Sequence, residues 1–237
     1  MQETLERARE IGWYHTLELA PGFVTGGIFD LRPVTSRYGL PERLDGMRAL
    51  DVGTWDGYWA FEMERRGAEV VALDLDWEAD LDWPATRRPD TFPDEPRGQG
   101  FAIAKEMLGS SVERLNLSIY HALPEDIGTF DLVFCGSVLI HLRDQVLALE
   151  RIANLCSGTF ISTEAYDPWI SWVPIPIARY RANRDKSVVF WEPTPRAWKQ
   201  MLYTAGFASV EQRAKFKMRA RAGWSVHHVV HHARKLS

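Results

Sequence analysis

Residues 49–57, Ala-Leu-Asp-Val-Gly-Thr-Trp-Asp-Gly, pass from an apolar strand directly into a turn framed by glycines, and Val70-Val71-Ala72-Leu73-Asp74 follows one helix later. That succession belongs to a doubly wound α/β fold. Its ligands sit at the carboxyl ends of adjacent parallel strands, where an acidic residue at the second strand end takes ribose hydroxyls. Asp74 lies roughly twenty residues beyond Gly53, the spacing expected for that acidic residue. A short strand-end carboxylate at a turn is the competing reading, with Asp76 able to serve instead.

The turn itself selects among nucleosides. A dinucleotide needs Gly-x-Gly-x-x-Gly, because its pyrophosphate rests on backbone amides at a helix N-terminus. Here Trp55 occupies the middle glycine position and no third glycine follows Gly57. S-adenosylmethionine (SAM) has no phosphate and tolerates that loss. Asp51, Gly53, Thr54, Trp55, Gly57 and Asp74 are therefore the expected cofactor residues, with Trp13 and Tyr14 of the preceding segment closing over them. The product would be S-adenosylhomocysteine (SAH).

The pattern along the chain gives a Rossmann-like fold with a seven-stranded, mostly parallel sheet, a short N-terminal helical cap and a C-terminal antiparallel hairpin. Residues 1–45 are expected as the cap and 46–237 as one catalytic domain, a size that buries a sizeable core. Leu5, Ala8 and Ile11 recur at helical spacing. Strands are expected at 50–52, 69–74, 117–120, 131–135 and 159–163, with the hairpin from 209–216 and 225–230. Asp56, Asp144 and Thr194-Pro195 read as helix starts, and Gly67, Gly158 and Gly206 as helix stops. Residues 75–100, rich in Pro and Asp, are long for a loop and read as a lid.

Several residues point toward chemistry. His141 follows the fourth strand, at the cleft edge, where imidazole suits a general base; His15 and Glu164 are further catalytic candidates. Against these stand a helix-start histidine bonded to backbone, a packed aromatic lid, and a carboxylate bonding loop amides. Tyr166, Trp169, Trp172, Arg179, Tyr180 and Trp191 crowd one irregular, proline-punctuated segment. They form a candidate acceptor pocket for a flat or anionic molecule, or else a hydrophobic plug or dimer contact. Arg213, Lys215, Lys217, Arg219 and Arg221 alternate with apolar residues, giving one basic face if extended. That face reads as the solvated side of the hairpin, with a nucleic-acid backbone as the alternative. The histidines at 227, 228, 231 and 232 point to opposite faces of a strand and lack completing ligands, so no metal site is expected.

The two cysteines give no disulfide framework, and the formal charge of −4 disfavours affinity built on many phosphates. With 46% hydrophobic and 25% charged residues the chain reads as a globular protein, and its N-terminus alternates charged with apolar residues unlike a signal peptide. A cytoplasmic location without membrane contact is expected. Oligomeric state is not legible.

Trp13-Tyr14-His15-Thr16, residues 50–57, Phe130-Asp131-Leu132-Val133-Phe134 and Gly136-Ser137-Val138-Leu139-Ile140-His141 together resemble the tRNA wobble-uridine (mo5U34) methyltransferase-like group of class I SAM-dependent methyltransferases. The resemblance runs from about residue 13 to about residue 206 and is specific for fold and cofactor. It departs at two places. The RNA-modifying carboxymethyl transferase carries an extension ahead of this core, and its Val-Leu-Tyr-His stands here as Val138-Leu139-Ile140-His141. With those departures the resemblance implies ordinary SAM as the cofactor and a small molecule as the methyl acceptor, through O- or N-methylation. A tRNA wobble uridine and a non-catalytic binding module are the alternatives.

Overall fold

The computed structural model describes residues 2–182 and 188–236. Seven strands form the central sheet: β1 (Arg48–Val52), β2 (Glu69–Asp74), β3 (Glu113–Asn116), β4 (Phe130–Gly136), β5 (Cys156–Ala165), β6 (Ser209–Arg219) and β7 (Ser225–Arg234). Their spatial order is β6-β7-β5-β4-β1-β2-β3. The first five run parallel, and β7 pairs antiparallel with both β5 and β6. The order reverses between β1 and β4, so these strands diverge at their carboxyl ends and open the crevice that such sheets use for ligands.

Leu50, Val133, Phe134 and Phe160 are wholly buried because helices cover both faces. On one face α1 (Gln2–Glu10), α2 (Tyr58–Arg65) and α3 (Gln99–Leu108) pack with the N-terminal segment around Trp59, Phe101 and Tyr38. On the other, α4 (Gln145–Leu155) and α5 (Pro195–Thr204) pack around Leu149, Ile152, Trp198 and Phe207. Asp144 caps α4 by accepting from the Leu147 amide at 3.0 Å, and Thr194 caps α5 through the Ala197 amide at 3.2 Å. No helix among the described residues is long and apolar enough to cross a membrane.

Three local expectations need correction. The third strand is Glu113–Asn116, not 117–120; it pairs only with β2, so its residues are half exposed, and the apolar run beyond it turns into a 3-10 helix at Ile119–His121. Gly158 does not stop a helix. It sits inside β5, where a side chain would run into the Asp131 carbonyl of the neighbouring strand end. Asp56 does not cap α2 either: the N-cap is Gly57, without a side-chain hydrogen bond, and Asp56 is used elsewhere.

The sheet core depends on the close approach at Gly158. Gly158→Ala should lower the free energy of unfolding by about 1–3 kcal/mol in urea titration, since the added methyl meets backbone that cannot step aside. Unchanged stability would show that β4 and β5 are not packed this tightly.

Candidate active site

Where β1 ends, the chain reverses through a left-handed turn whose geometry is dictated by the end of β2. The Gly53 and Thr54 amides both donate to the Leu73 carbonyl, at 2.8 and 3.1 Å, and the Trp55 amide donates to Asp74 Oδ2 at 2.8 Å. Gly57 closes the turn by donating to the Thr54 carbonyl at 2.8 Å. Gly53 and Gly57 stand at φ of 75° and 88°, and Trp55 at 48°. A side chain at Gly53 would collide with Val138, which leans across from the β4 end. The two glycines therefore permit both the backbone bend and the approach of β4.

Asp51 lies beneath the turn, 2% exposed, with its Oδ2 and the neighbouring Thr54 hydroxyl lacking close hydrogen-bond partners. Burial pushes its carboxyl up to about 7, opposed by the nearby Thr54 hydroxyl and by the Ala60 amide in the first turn of α2. The positive end of α2 is thus directed at a carboxylate of the protein itself.

Asp74 is held from three sides: its Oδ1 accepts from the Leu75 amide at 2.8 Å, its Oδ2 from Trp55, and Arg97 approaches Oδ1 to 3.6 Å. The Arg97 guanidinium also stacks on the Trp55 ring, 4.4 Å from its centre. Arg97 belongs to the segment between β2 and α3, the expected lid, which carries two 3-10 turns at Glu78–Asp80 and Ala85–Arg87. That segment is fastened across the cleft mouth by Asp82, which accepts from the Arg143 amide at 2.6 Å and from the Tyr120 hydroxyl at 3.0 Å.

Asp56 carries a function that the sequence does not announce. Its Oδ2 accepts from the Tyr14 amide at 2.6 Å and the His15 amide at 2.8 Å, tying the N-terminal segment onto the glycine turn. Burial raises this carboxyl to about 6, with the two amides working against that rise. The signal was available: Asp56 stands one residue before a glycine N-cap, with no amide of its own helix to serve. Tyr14 lies 5.3 Å from Trp55, ring centre to ring centre, and burial lifts its phenol to about 12, helped by Asp56 and Glu164. Trp13 points inward instead, donating its indole N–H to the Ala8 carbonyl at 2.8 Å.

Of the expected catalytic groups, Glu164 and His141 flank the same turn after β4. Glu164 is 1% exposed; its Oε1 accepts from the Val138 and Leu139 amides at 3.2 and 3.1 Å, and its Oε2 has no partner. Burial drives its carboxyl up to about 8, against the pull of those amides. His141 Nδ1 donates to the Val188 carbonyl, leaving Nε2 as the basic nitrogen, and burial lowers its pKa from the ordinary value. His15 is enclosed by Tyr14 and Tyr58, its Nδ1 unpartnered, and burial depresses it to about 3. Such an imidazole is a weak base at neutral pH.

The aromatic segment divides. Tyr180 and Trp191 meet at 4.8 Å across a small antiparallel ribbon of Ala178–Tyr180 and Trp191–Pro193, while residues 183–187 lie outside the described residues. Arg179 is committed to the buried Asp167 at 2.7 Å. Trp169 and Trp172 are 79% and 81% exposed. Tyr166 lies under Lys215, 5.6 Å from ring centre to Nζ, so the aromatic segment begins beside the basic face of β6. Along that strand Arg213, Lys215, Lys217 and Arg219 face outward while Phe216 and Met218 are buried. Among the described residues no group of three or more His, Cys, Asp or Glu could hold a metal ion.

With this geometry in place, comparison with known proteins is specific. A methyltransferase-domain family matches residues 29–212. The tRNA U34 carboxymethyltransferase of Pseudomonas aeruginosa is 31% identical over 169 residues, 70% of this chain and 46% of that protein. Its Azotobacter vinelandii counterpart is 30% identical over 171 residues, again 70% of this chain and 47% of that protein. The chain thus spans about half the length of the curated relatives it matches. Among solved structures, the N-terminal domain of EvdMO1 with SAH bound aligns at a TM-score of 0.70 and 19% identity, over 99% of this chain and 97% of that one. A Burkholderia thailandensis 1,6-didemethyltoxoflavin-N1-methyltransferase with SAH aligns at 0.54 and 18% identity, over 87% and 76%.

The buried acid beneath the cleft sets a pH dependence. Native Glu164 keeps its proton up to about pH 8, whereas an unfolded glutamate releases it near 4.5. Its contribution to stability is complete below about pH 4.5 and is lost as pH rises toward 8. Glu164→Gln keeps the shape without the ionisation, so its melting temperature should fall less than that of the unaltered protein between pH 5 and pH 8. Parallel melting curves across that range would refute the burial of an ionisable carboxyl here.

Proposed function

Because this chain belongs to the methyltransferase-domain family, a class I SAM-dependent methyltransferase by its strand order, we propose that it moves a methyl group from SAM to a small-molecule acceptor. The observation that carries this reading is the glycine turn strung from the end of β2, with the Asp74 carboxylate at its rim. Bound SAM supplies an electrophilic methyl carbon on a sulfonium, so the chain need only align the acceptor, exclude water and receive a proton where one is released. Gly53, Thr54, Trp55 and Gly57 would offer backbone to the cofactor, and Asp74 would take the ribose hydroxyls once Arg97 swings aside. Asp51 would support the turn from below. Tyr14 would close the mouth, held by the Asp56 latch, with the segment before residue 46 as its cap and Trp13 as the wedge that seats it.

On the acceptor side, His141 Nε2 would take the proton, because its Nδ1 is already committed to Val188. Glu164, protonated near neutrality, would set the turn after β4 and offer its free Oε2 as a hydrogen-bond donor. The rings of Tyr166, Trp169, Trp172, Tyr180 and Trp191 would fold over the acceptor, with Arg179 stiffening their base through Asp167.

A tRNA wobble uridine is the second reading, favoured by the likeness to the U34 carboxymethyltransferases and by the basic face of β6, where Lys215 lies over the Tyr166 ring. Gel shifts with bulk tRNA in graded salt separate the two. Tight binding that weakens steeply with salt supports RNA, and its absence leaves the small molecule.

For the cofactor site, Asp74→Ala should weaken SAH binding in calorimetry at least about tenfold, the loss expected for hydrogen bonds to a charged group. The circular dichroism spectrum should stay unchanged. Unaltered affinity would remove Asp74 from the ribose site.

A further inference from the structure

Ser137 is the residue at which β4 gives way to the cleft, and it carries three features that the cofactor reading leaves unused. Its backbone is left-handed, φ 58°, a conformation that a residue with a side chain adopts only where the surroundings enforce it. Its amide is fixed by the Thr163 carbonyl at 2.8 Å, and the next two amides are fixed by Glu164. Its hydroxyl lies 2.7 Å from Nε2 of His228, a buried residue of β7 that faces Ala165 across the strand pair. Val138, the following residue, is the one that leans over Gly53. Ser137 thus precedes the residue that abuts the glycine turn, and its hydroxyl reaches toward β7 past the strand that carries Glu164.

The direction of that hydrogen bond follows from the far side of the ring. His228 Nδ1 faces only a carbonyl, that of Val226 at 3.4 Å, so Nδ1 carries the hydrogen and Nε2 is bare. Burial depresses the pKa of His228 to about 4, so the ring is neutral throughout the physiological range. Phe216 stacks on it at 6.1 Å and holds its plane. The serine must donate its only proton to His228. What remains on Oγ is lone pairs, turned away from the imidazole.

We propose that Ser137 is a binding contact for the methyl acceptor, receiving a hydrogen bond from the atom to be methylated, and that His228 is the positioning residue that keeps the serine hydroxyl in this accepting orientation. The inference rests on the SAM reading of the glycine turn and deepens it. It narrows the acceptor to an amine that carries two hydrogens, one held by Ser137 and one left for His141 Nε2, since a hydroxyl has a single hydrogen for both. A carbon or thioether acceptor has none to give.

Sinefungin tests this without knowledge of the acceptor, because a carbon bearing a charged amine replaces the sulfonium and its methyl. The amine then stands where the methyl group would meet the acceptor, and Ser137 should accept from it. Calorimetry on the full chain gives the ratio of sinefungin to SAH affinity. In Ser137→Ala that ratio should fall about tenfold while SAH affinity changes less than about twofold. His228→Leu should lower the ratio similarly, and His228→Gln, whose amide oxygen can accept from the serine, should restore most of it. An unchanged ratio in Ser137→Ala overturns the acceptor contact, and an unchanged ratio in a folded His228→Leu overturns the positioning role. If the core substitution does not fold, Ser137→Ala and His228→Gln carry the decision. A parent protein that binds neither SAH nor sinefungin refutes the cofactor reading itself, a distinct outcome.

Discussion

The Leu73 carbonyl and the Asp74 carboxylate together receive three successive amides, those of Gly53, Thr54 and Trp55, and every other feature of the cleft is built on that clasp. It fixes the left-handed turn, and the turn lets Val138 settle against Gly53. With Val138 seated, the amides of Val138 and Leu139 reach Glu164, and the Ser137 hydroxyl reaches His228. Asp56, on the same turn, reaches back to Tyr14 and His15 and draws the N-terminal segment over the opening. One strand end thereby organises four strands and the cap.

Such an arrangement is costly in an interior where polar groups normally find partners. Asp51 Oδ2, Thr54 Oγ1, Thr163 Oγ1, Glu164 Oε2 and His15 Nδ1 are all buried without one, and all stand at or just beneath the carboxyl ends of β1 and β5 or the segment that covers them. The shifts share one cause. Carboxyls move up and imidazoles move down because burial favours the neutral form of each, so Glu164, His15 and His228 are mainly neutral near pH 7 while Asp51 and Asp56 keep part of their charge.

Legibility in the sequence tracks how local the cause is. β1 and β2 are visible because an apolar run buried on both faces needs no partner information, and the Asp144 and Thr194 caps are visible because a cap bonds amides three residues away. The third strand is misplaced because it is an edge strand, half exposed, while the more apolar Leu117 and Ile119 lie past its end. Gly158 and Asp56 mislead for a related reason. Each resembles a helix signal, yet Gly158 answers to the carbonyl of Asp131 and Asp56 to amides some forty residues back. The Ser137 to His228 pair spans ninety-one positions, and nothing near either residue in sequence marks it.

Trp55 shows how a turn can lose a glycine and gain a device. A tryptophan at φ 48° is strained, yet its amide bonds Asp74 and its ring, 42% exposed, is covered by the Arg97 guanidinium. Arg97 approaches Asp74 as well, so one residue of the segment after β2 rests on both the Trp55 ring and the Asp74 carboxylate. A ribose bound as proposed at Asp74 would meet this guanidinium at the same carboxylate. Asp82 of the same segment is bonded to the Arg143 amide and to the Tyr120 hydroxyl, which in turn accepts from the Asp144 amide, so residues 75–97 link the end of β2 to the start of α4.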